Sequence, residues 1–125
     1  MMRALACGVL FLVLPLSAAQ MSGIWTGTLE ITGADGKTQS DRCYMVLQQK
    51  GPEITGTVGP DKSVQWKIEN GRADGPGITF AVFPPEGGRL SFALRLAGNH
   101  LSGEAHAENQ GLSFKAKVDL TRSAH

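Results

Sequence analysis

The chain has 125 residues, of which 42% are hydrophobic, and its formal net charge is +1. That length is enough for one domain and too short for two. The near-neutral charge argues against nucleic acid or an anionic membrane as the main partner, because both are bound chiefly through clustered Lys and Arg, and the sequence has no such cluster.

The first nineteen residues have the layout of a secretory signal peptide. Arg3 supplies a positive start, residues 4–14 form a short apolar run, and Ser17-Ala18-Ala19 places small residues before the expected cleavage at Gln20. The run is shorter than the roughly 20 apolar residues that span a bilayer, so an uncleaved anchor is the less favoured alternative. We therefore expect residues 1–19 to be removed and residues 20–125 to form one secreted or periplasmic domain, with no membrane association after cleavage.

Cys43 is the only cysteine that remains after this cleavage. An exported protein of this size must then be stable without an internal disulfide bond. Its stability is expected to come from the hydrophobic core and from a closed sheet.

Alternating apolar and polar residues, broken by Gly, Pro, Asn and Asp, indicate a protein made only of β-strands. The breaks come about every 8 to 12 residues, a spacing typical of a sandwich or barrel. The fourth predicted strand bends at Asn70-Gly71. The eight predicted strands cover residues 23–31, 41–49, 54–58, 64–73, 77–83, 89–97, 100–107 and 112–121.

The turns between the last three strands predict how these strands pair. A two-residue turn at Gly98-Asn99 sets Phe92 opposite Ala105, and a loop over residues 108–111 sets Phe114 opposite Ala105 and Glu104 opposite Lys115. Closure of the last strand on the first removes exposed sheet edges. The predicted fold is therefore an all-β, eight-stranded antiparallel up-and-down barrel, with a flattened barrel or two-sheet sandwich as the alternative.

Short motifs along the chain resemble those of known small barrels. GIWTG at the start, the eight-strand meander and LTR at the end resemble the calycin superfamily, which includes lipocalins, fatty-acid-binding proteins and avidins. More narrowly, GIWTGTLEI, EITGTVG, IENGRADG and ITFAVF resemble small secreted bacterial lipocalin-like proteins of unknown function. The resemblance implies that Trp25 closes one end of the barrel with Arg122 packed across it, a cation–π contact.

The interior of an eight-stranded barrel is either filled by side chains or holds one small ligand. The predicted inward positions carry no charge, so a bound guest is expected to be apolar, because an unpaired buried charge is too costly. Small residues on the seventh and eighth strands leave space, whereas the aromatic residues fill it. The candidate ligand-binding side chains, which also suit a filled wall, are Trp66, Tyr44, Phe80, Phe92 and Phe114.

No arrangement of side chains predicts an enzyme, a cofactor or a metal site. His100 and His106 are about 20 Å apart along one strand, too far to share a metal ion. Glu104, His106 and Glu108 suit an exposed charge ladder better than a ligand set. Cys43 shares the inward parity of its apolar neighbours and is expected to behave as a small hydrophobe. We therefore expect a protein without catalytic activity.

An outward patch with few charges favours a second function. Thr79, Ala81, Phe83 and Ala93 take outward positions on neighbouring strands, and an uncharged exposed patch often marks an interface. Two hypotheses follow from the sequence. The barrel binds a small apolar molecule inside, or its outer wall is a protein-interaction surface and the protein is a monomer or weak homodimer.

Overall fold

The structure is a computed structural model that describes residues 21–33, 35–85 and 87–123. The expected signal peptide lies outside these residues. Among them, no helix is long and apolar enough to cross a membrane. The strands are β1 (Gly23–Thr32), β2 (Thr38–Lys50), β3 (Glu53–Asp61), β4 (Val64–Lys67), β5 (Glu69–Asp74), β6 (Gly77–Val82), β7 (Arg89–Ala97), β8 (His100–Asn109) and β9 (Leu112–Arg122).

The described strands form one closed antiparallel barrel. Strands β1, β2, β3, β5, β6, β7, β8 and β9 pair in that order, and β9 pairs back onto β1 to close the ring. The short strand β4 is extra and pairs with β3. The predicted eight-stranded up-and-down barrel is therefore confirmed, and the sandwich alternative is not the observed fold.

Strands β4 and β5 correspond to the single bent strand that the sequence predicts. The pairing register of β5 with β6 shifts by one residue between Glu69 and Arg72. Asn70, which lies in this interval, has a φ of 54°, a left-handed conformation that Asn tolerates better than most residues. A β-bulge thus bends the chain at the predicted Asn70-Gly71 position.

The predicted pairing of β7 with β8 is confirmed, whereas that of β8 with β9 is wrong by two residues. Phe92 lies opposite Ala105 as expected, but Phe114 pairs with Ala107, and Glu104 pairs with Lys117. The cause is a tighter turn, because Gln110 and Gly111 both have positive φ, at 53° and 83°. A two-residue turn of this kind lets both strands continue further than a four-residue loop would. A shift of two residues keeps every side chain on its predicted face.

One apolar core lies inside the barrel. Trp25 and Met45 are fully buried, and Phe80 and Phe92 stack with their ring centroids 4.8 Å apart. Met21, which precedes β1, is also buried although the sequence did not predict it as an inward residue. The other members of the buried cluster are Cys43, Leu47, Ile54, Val58, Ile68, Ile78, Val82, Leu94, Leu101, Ala105, Ala116, Val118 and Leu120.

The meander gives the barrel two different ends. Residues 21–22, which precede β1, the β2–β3, β5–β6 and β7–β8 turns, and the end of β9 lie at one end. The β1–β2 loop, the β3–β4 turn, the β6–β7 loop and the β8–β9 turn lie at the other. We call the first the plugged end, because Trp25 and Arg122 close it, and the second the open end.

Candidate functional site

The plugged end is closed by Trp25 and Arg122, which lie opposite each other on β1 and β9. Trp25 is 0% exposed, and its indole Nε1 donates a hydrogen bond of 3.0 Å to the backbone oxygen of Met21. The guanidinium carbon of Arg122 lies 4.4 Å from the indole ring centroid, and its Nη1 donates to the backbone oxygen of Ser22. The two residues therefore meet in the contact that the resemblance implied.

Replacing Arg122 with Ala should lower the melting temperature by about 4 °C, because a cation–π contact is worth about 1 kcal/mol in a domain of this size. Thermal unfolding followed by circular dichroism measures the change. Arg95→Ala, an exposed arginine on β7, is the matched control. Equal melting temperatures for the two variants would show that Arg122 does not hold the plug.

The open end contains a small apolar cavity with a volume of about 140 Å³. Its wall comes from four neighbouring strands, β1, β7, β8 and β9. Apart from Lys115, whose neighbours in the chain both line the cavity, every contributing residue takes an inward position. The lining residues are Leu29, Ile31, Leu90, Phe92, Ala105, Ala107, Phe114, Lys115 and Ala116.

The cavity exists because small side chains lie between large ones on neighbouring strands of the inner face. One cross-strand row runs from Phe92 through Ala105 and Ala116 to Ile31. Two adjacent methyl groups between two large side chains leave a gap that neither large residue fills. The next row, in which Ala107 lies between Leu90 and Phe114, extends the same gap toward the open end.

The apolar cavity meets a polar depression at its mouth. Ile31 and Phe114 line both the cavity and a wider, open depression of about 570 Å³. Beside this depression the backbone N–H of Gly33 donates a hydrogen bond to the backbone oxygen of Lys37, and that of Gly36 donates to the backbone oxygen of Gly33. The remaining residues of the depression are Gly33, Asp35, Lys37, Thr38 and Gln39.

Only two of the five candidate ligand-binding residues line the cavity, namely Phe92 and Phe114. Phe80 stacks on Phe92 and belongs to the packed core. Trp66 packs against the core from β4, and Tyr44 alternates with buried residues of β2, so its side chain takes the outward parity. Trp66, Tyr44 and Phe80 therefore do not line this cavity.

The lining residues that the sequence did not nominate are aliphatic or small: Leu29, Ile31, Leu90, Ala105, Ala107 and Ala116. The alternation of the sequence places all six on the inward face of their strands. None of them is aromatic, and the candidate set consisted of aromatic side chains only. The better indication was the run of small residues at alternate positions of β8.

The outward patch is only partly as expected. Thr79 and Ala93 are exposed, and Phe83 is 53% exposed just past the end of β6. Ala81, however, is only 3% exposed, so the prediction that it lies on the exposed surface is wrong. Its short side chain lies in a depression of about 380 Å³ whose other lining residues, Asn70, Thr79, Phe80, Arg89, Ser91, Phe92, Ala93 and His106, are mostly larger.

Cys43 and the two histidines of the described residues lie in different settings, since the thiol is buried and both imidazoles are exposed. Burial raises the pKa of the Cys43 thiol to about 12, so the thiol stays protonated at neutral pH. His100 lies 3.5 Å from Asp119 and His106 lies 3.8 Å from Glu104, all four being exposed. Within residues 21–33, 35–85 and 87–123, no three or more His, Cys, Asp or Glu residues are grouped to hold a metal ion.

No protein-family model, curated protein or solved structure matches this chain. Its class is therefore defined by its own geometry. It is a closed antiparallel β-barrel with one end plugged by a Trp and an Arg and a small apolar cavity at the other.

Proposed function

We propose that the protein is a secreted or periplasmic, non-catalytic barrel of lipocalin-like type that binds a small apolar molecule at its open end. The observation that carries the proposal is the cavity between Phe92 and Phe114. The signal-peptide-like sequence of residues 1–19, and the single cysteine expected to remain after its cleavage, support the extracytoplasmic location.

The chemistry of the cavity wall supports an apolar guest. All its lining side chains except Lys115 are hydrocarbon, and Phe92, Ala105 and Ala116 are nearly inaccessible to solvent. An apolar cavity of about 150 Å³ lined by Leu, Ile and Phe stays dry and binds benzene. Water therefore finds few hydrogen-bond partners in this space. An apolar group that enters it leaves water without giving up any hydrogen bond.

Native mass spectrometry of the protein purified from its extracytoplasmic compartment tests the proposal. We expect a fraction of the wild-type protein to carry a small bound molecule that is lost on gentle activation. Ala105→Leu should remove this adduct, because the larger side chain occupies the cavity. The free energy of unfolding should stay within about 1 kcal/mol of wild type, since the added atoms fill existing space.

Ala97→Leu is the matched control, because Ala97 is exposed on the outer face of β7. This variant should keep the adduct. If wild type, Ala105→Leu and Ala97→Leu all carry the same adduct, the molecule is bound elsewhere and the proposal fails.

The outer wall supports a second candidate function, in which the protein binds a partner through β6 and β7. The favouring observation is that Phe83 stays 53% exposed beside the depression over Ala81, with the Arg89 guanidinium carbon 6.0 Å from its ring centroid. Light scattering at high concentration tests self-association. Ala93→Lys should dissociate a dimer without unfolding the barrel, and a monomeric wild-type protein would exclude a homodimer.

A further inference from the structure

We propose that the bound molecule is a monocyclic aromatic compound with one polar substituent, its ring in the cavity and its substituent at the mouth. This inference rests on the proposed function, because it names the class of ligand for the same site. Three features of the open end carry it: the size of the cavity, the closed floor beneath it and the polar depression beside it.

The size and lining of the cavity fit a single ring. Its volume of about 140 Å³ is close to that of a cavity known to take benzene. Phe92 and Phe114 both contribute to the wall, and aromatic rings favour offset or edge-to-face contact with one another. The two adjacent alanines, Ala105 and Ala116, open the space between Phe92 and Ile31.

The floor of the cavity excludes a long acyl chain. Phe92 is stacked on Phe80, and the core extends from this pair to Trp25 at the plugged end. Phe80, Leu94, Leu101 and Trp25 are each 4% exposed or less. Protein interiors of this kind are close-packed, so a chain longer than the cavity must displace core side chains.

The mouth fixes where a polar substituent lies. A hydroxyl group buried without a partner costs about 1 to 3 kcal/mol. Lys115 is exposed and takes the outward parity, and the other side chains that line the cavity are hydrocarbon. The cavity and the polar depression share Ile31 and Phe114, so the route out of the cavity leads to the exposed Lys37, Thr38 and Gln39. A substituent that points along this route stays hydrated while the ring is buried.

Titration of the isotope-labelled protein with four probes, followed by nuclear magnetic resonance, tests the inference. The probes are toluene, p-cresol, 4-hydroxybenzyl alcohol and palmitate. We expect toluene and p-cresol to shift the backbone amide signals of Ala105 and Ala116 with dissociation constants within threefold of each other. We expect 4-hydroxybenzyl alcohol, with a polar group at each end of its ring, to bind at least about tenfold more weakly than p-cresol, because one hydroxyl must be buried.

Two variants assign the shifts to the cavity. Ala105→Leu should abolish the response to toluene and p-cresol, and Ala97→Leu should leave it unchanged. Palmitate should leave the signals of Ala105 and Ala116 unmoved in wild type.

The outcomes separate this inference from the proposed function. Palmitate shifts at Ala105 that Ala105→Leu removes would keep the proposed function and overturn the aromatic class. Equal affinities for p-cresol and 4-hydroxybenzyl alcohol would overturn the orientation of the substituent. If none of the probes shifts these signals and the purified protein carries no adduct, both the inference and the proposed function fail.

Discussion

Replacing Trp25 with Ala should lower the free energy of unfolding by about 3 to 5 kcal/mol, the usual cost of removing a buried Trp side chain. Trp25 is 0% exposed and is the largest fully buried side chain in the described residues. Its removal leaves a cavity at the plugged end. It also removes the ring beneath Arg122 and the donor to the Met21 backbone oxygen.

Urea unfolding followed by far-ultraviolet circular dichroism measures this loss. Trp66→Ala is the matched control, because Trp66 is only partly buried and packs at the edge of the core. We expect a clearly smaller loss for the control. Equal losses in the two variants would mean that the plug has no special part in holding the barrel closed.

Replacing Gly56 with Ala should lower the free energy of unfolding by about 3 kcal/mol or more, by combining backbone strain with a steric clash. Gly56 has a φ of 141°, which side-chain-bearing residues rarely adopt. A Cβ atom at this position would lie 1.9 Å from the backbone oxygen of Val46 on the paired strand β2. Relief of this clash requires β2 and β3 to move apart.

Gly77→Ala is the control for this change, since a Cβ atom there would come no closer than 3.5 Å to another heavy atom. The same urea measurement should show a change of about 0.5 kcal/mol or less for Gly77→Ala. A comparably small change for Gly56→Ala would contradict the close approach of β2 and β3.

The strands were predictable because the residues of a half-buried strand alternate between an apolar inward face and a polar outward face. Seven of the predicted segments match strands to within a few residues, including β7 at Arg89–Ala97. The β8–β9 register was not predictable, because Gln110 adopts a positive φ that its residue type does not indicate. An error of two residues leaves the inward or outward assignment of every side chain unchanged, so the core was still predicted on the correct face.

The site was harder to predict than the fold, because it depends on closure. The row from Phe92 through Ala105 and Ala116 to Ile31 joins β7, β8 and β9, which are consecutive in the chain, to β1, which pairs with β9 only because the barrel closes. Alternation assigns each of these residues to the interior but does not say which small residues become neighbours. Similarly, the burial of Ala81 follows from larger side chains on adjacent strands, which its own parity does not reveal.

A crystal of the protein pressurised with xenon tests the central claim most directly, because xenon enters dry apolar cavities of this size. The structure predicts one xenon atom inside the open end, in contact with Phe92, Ala105 and Phe114, and no ordered water in that space. A xenon-free cavity filled with ordered water, or side chains that close the gap between Phe92 and Ile31, would contradict the account.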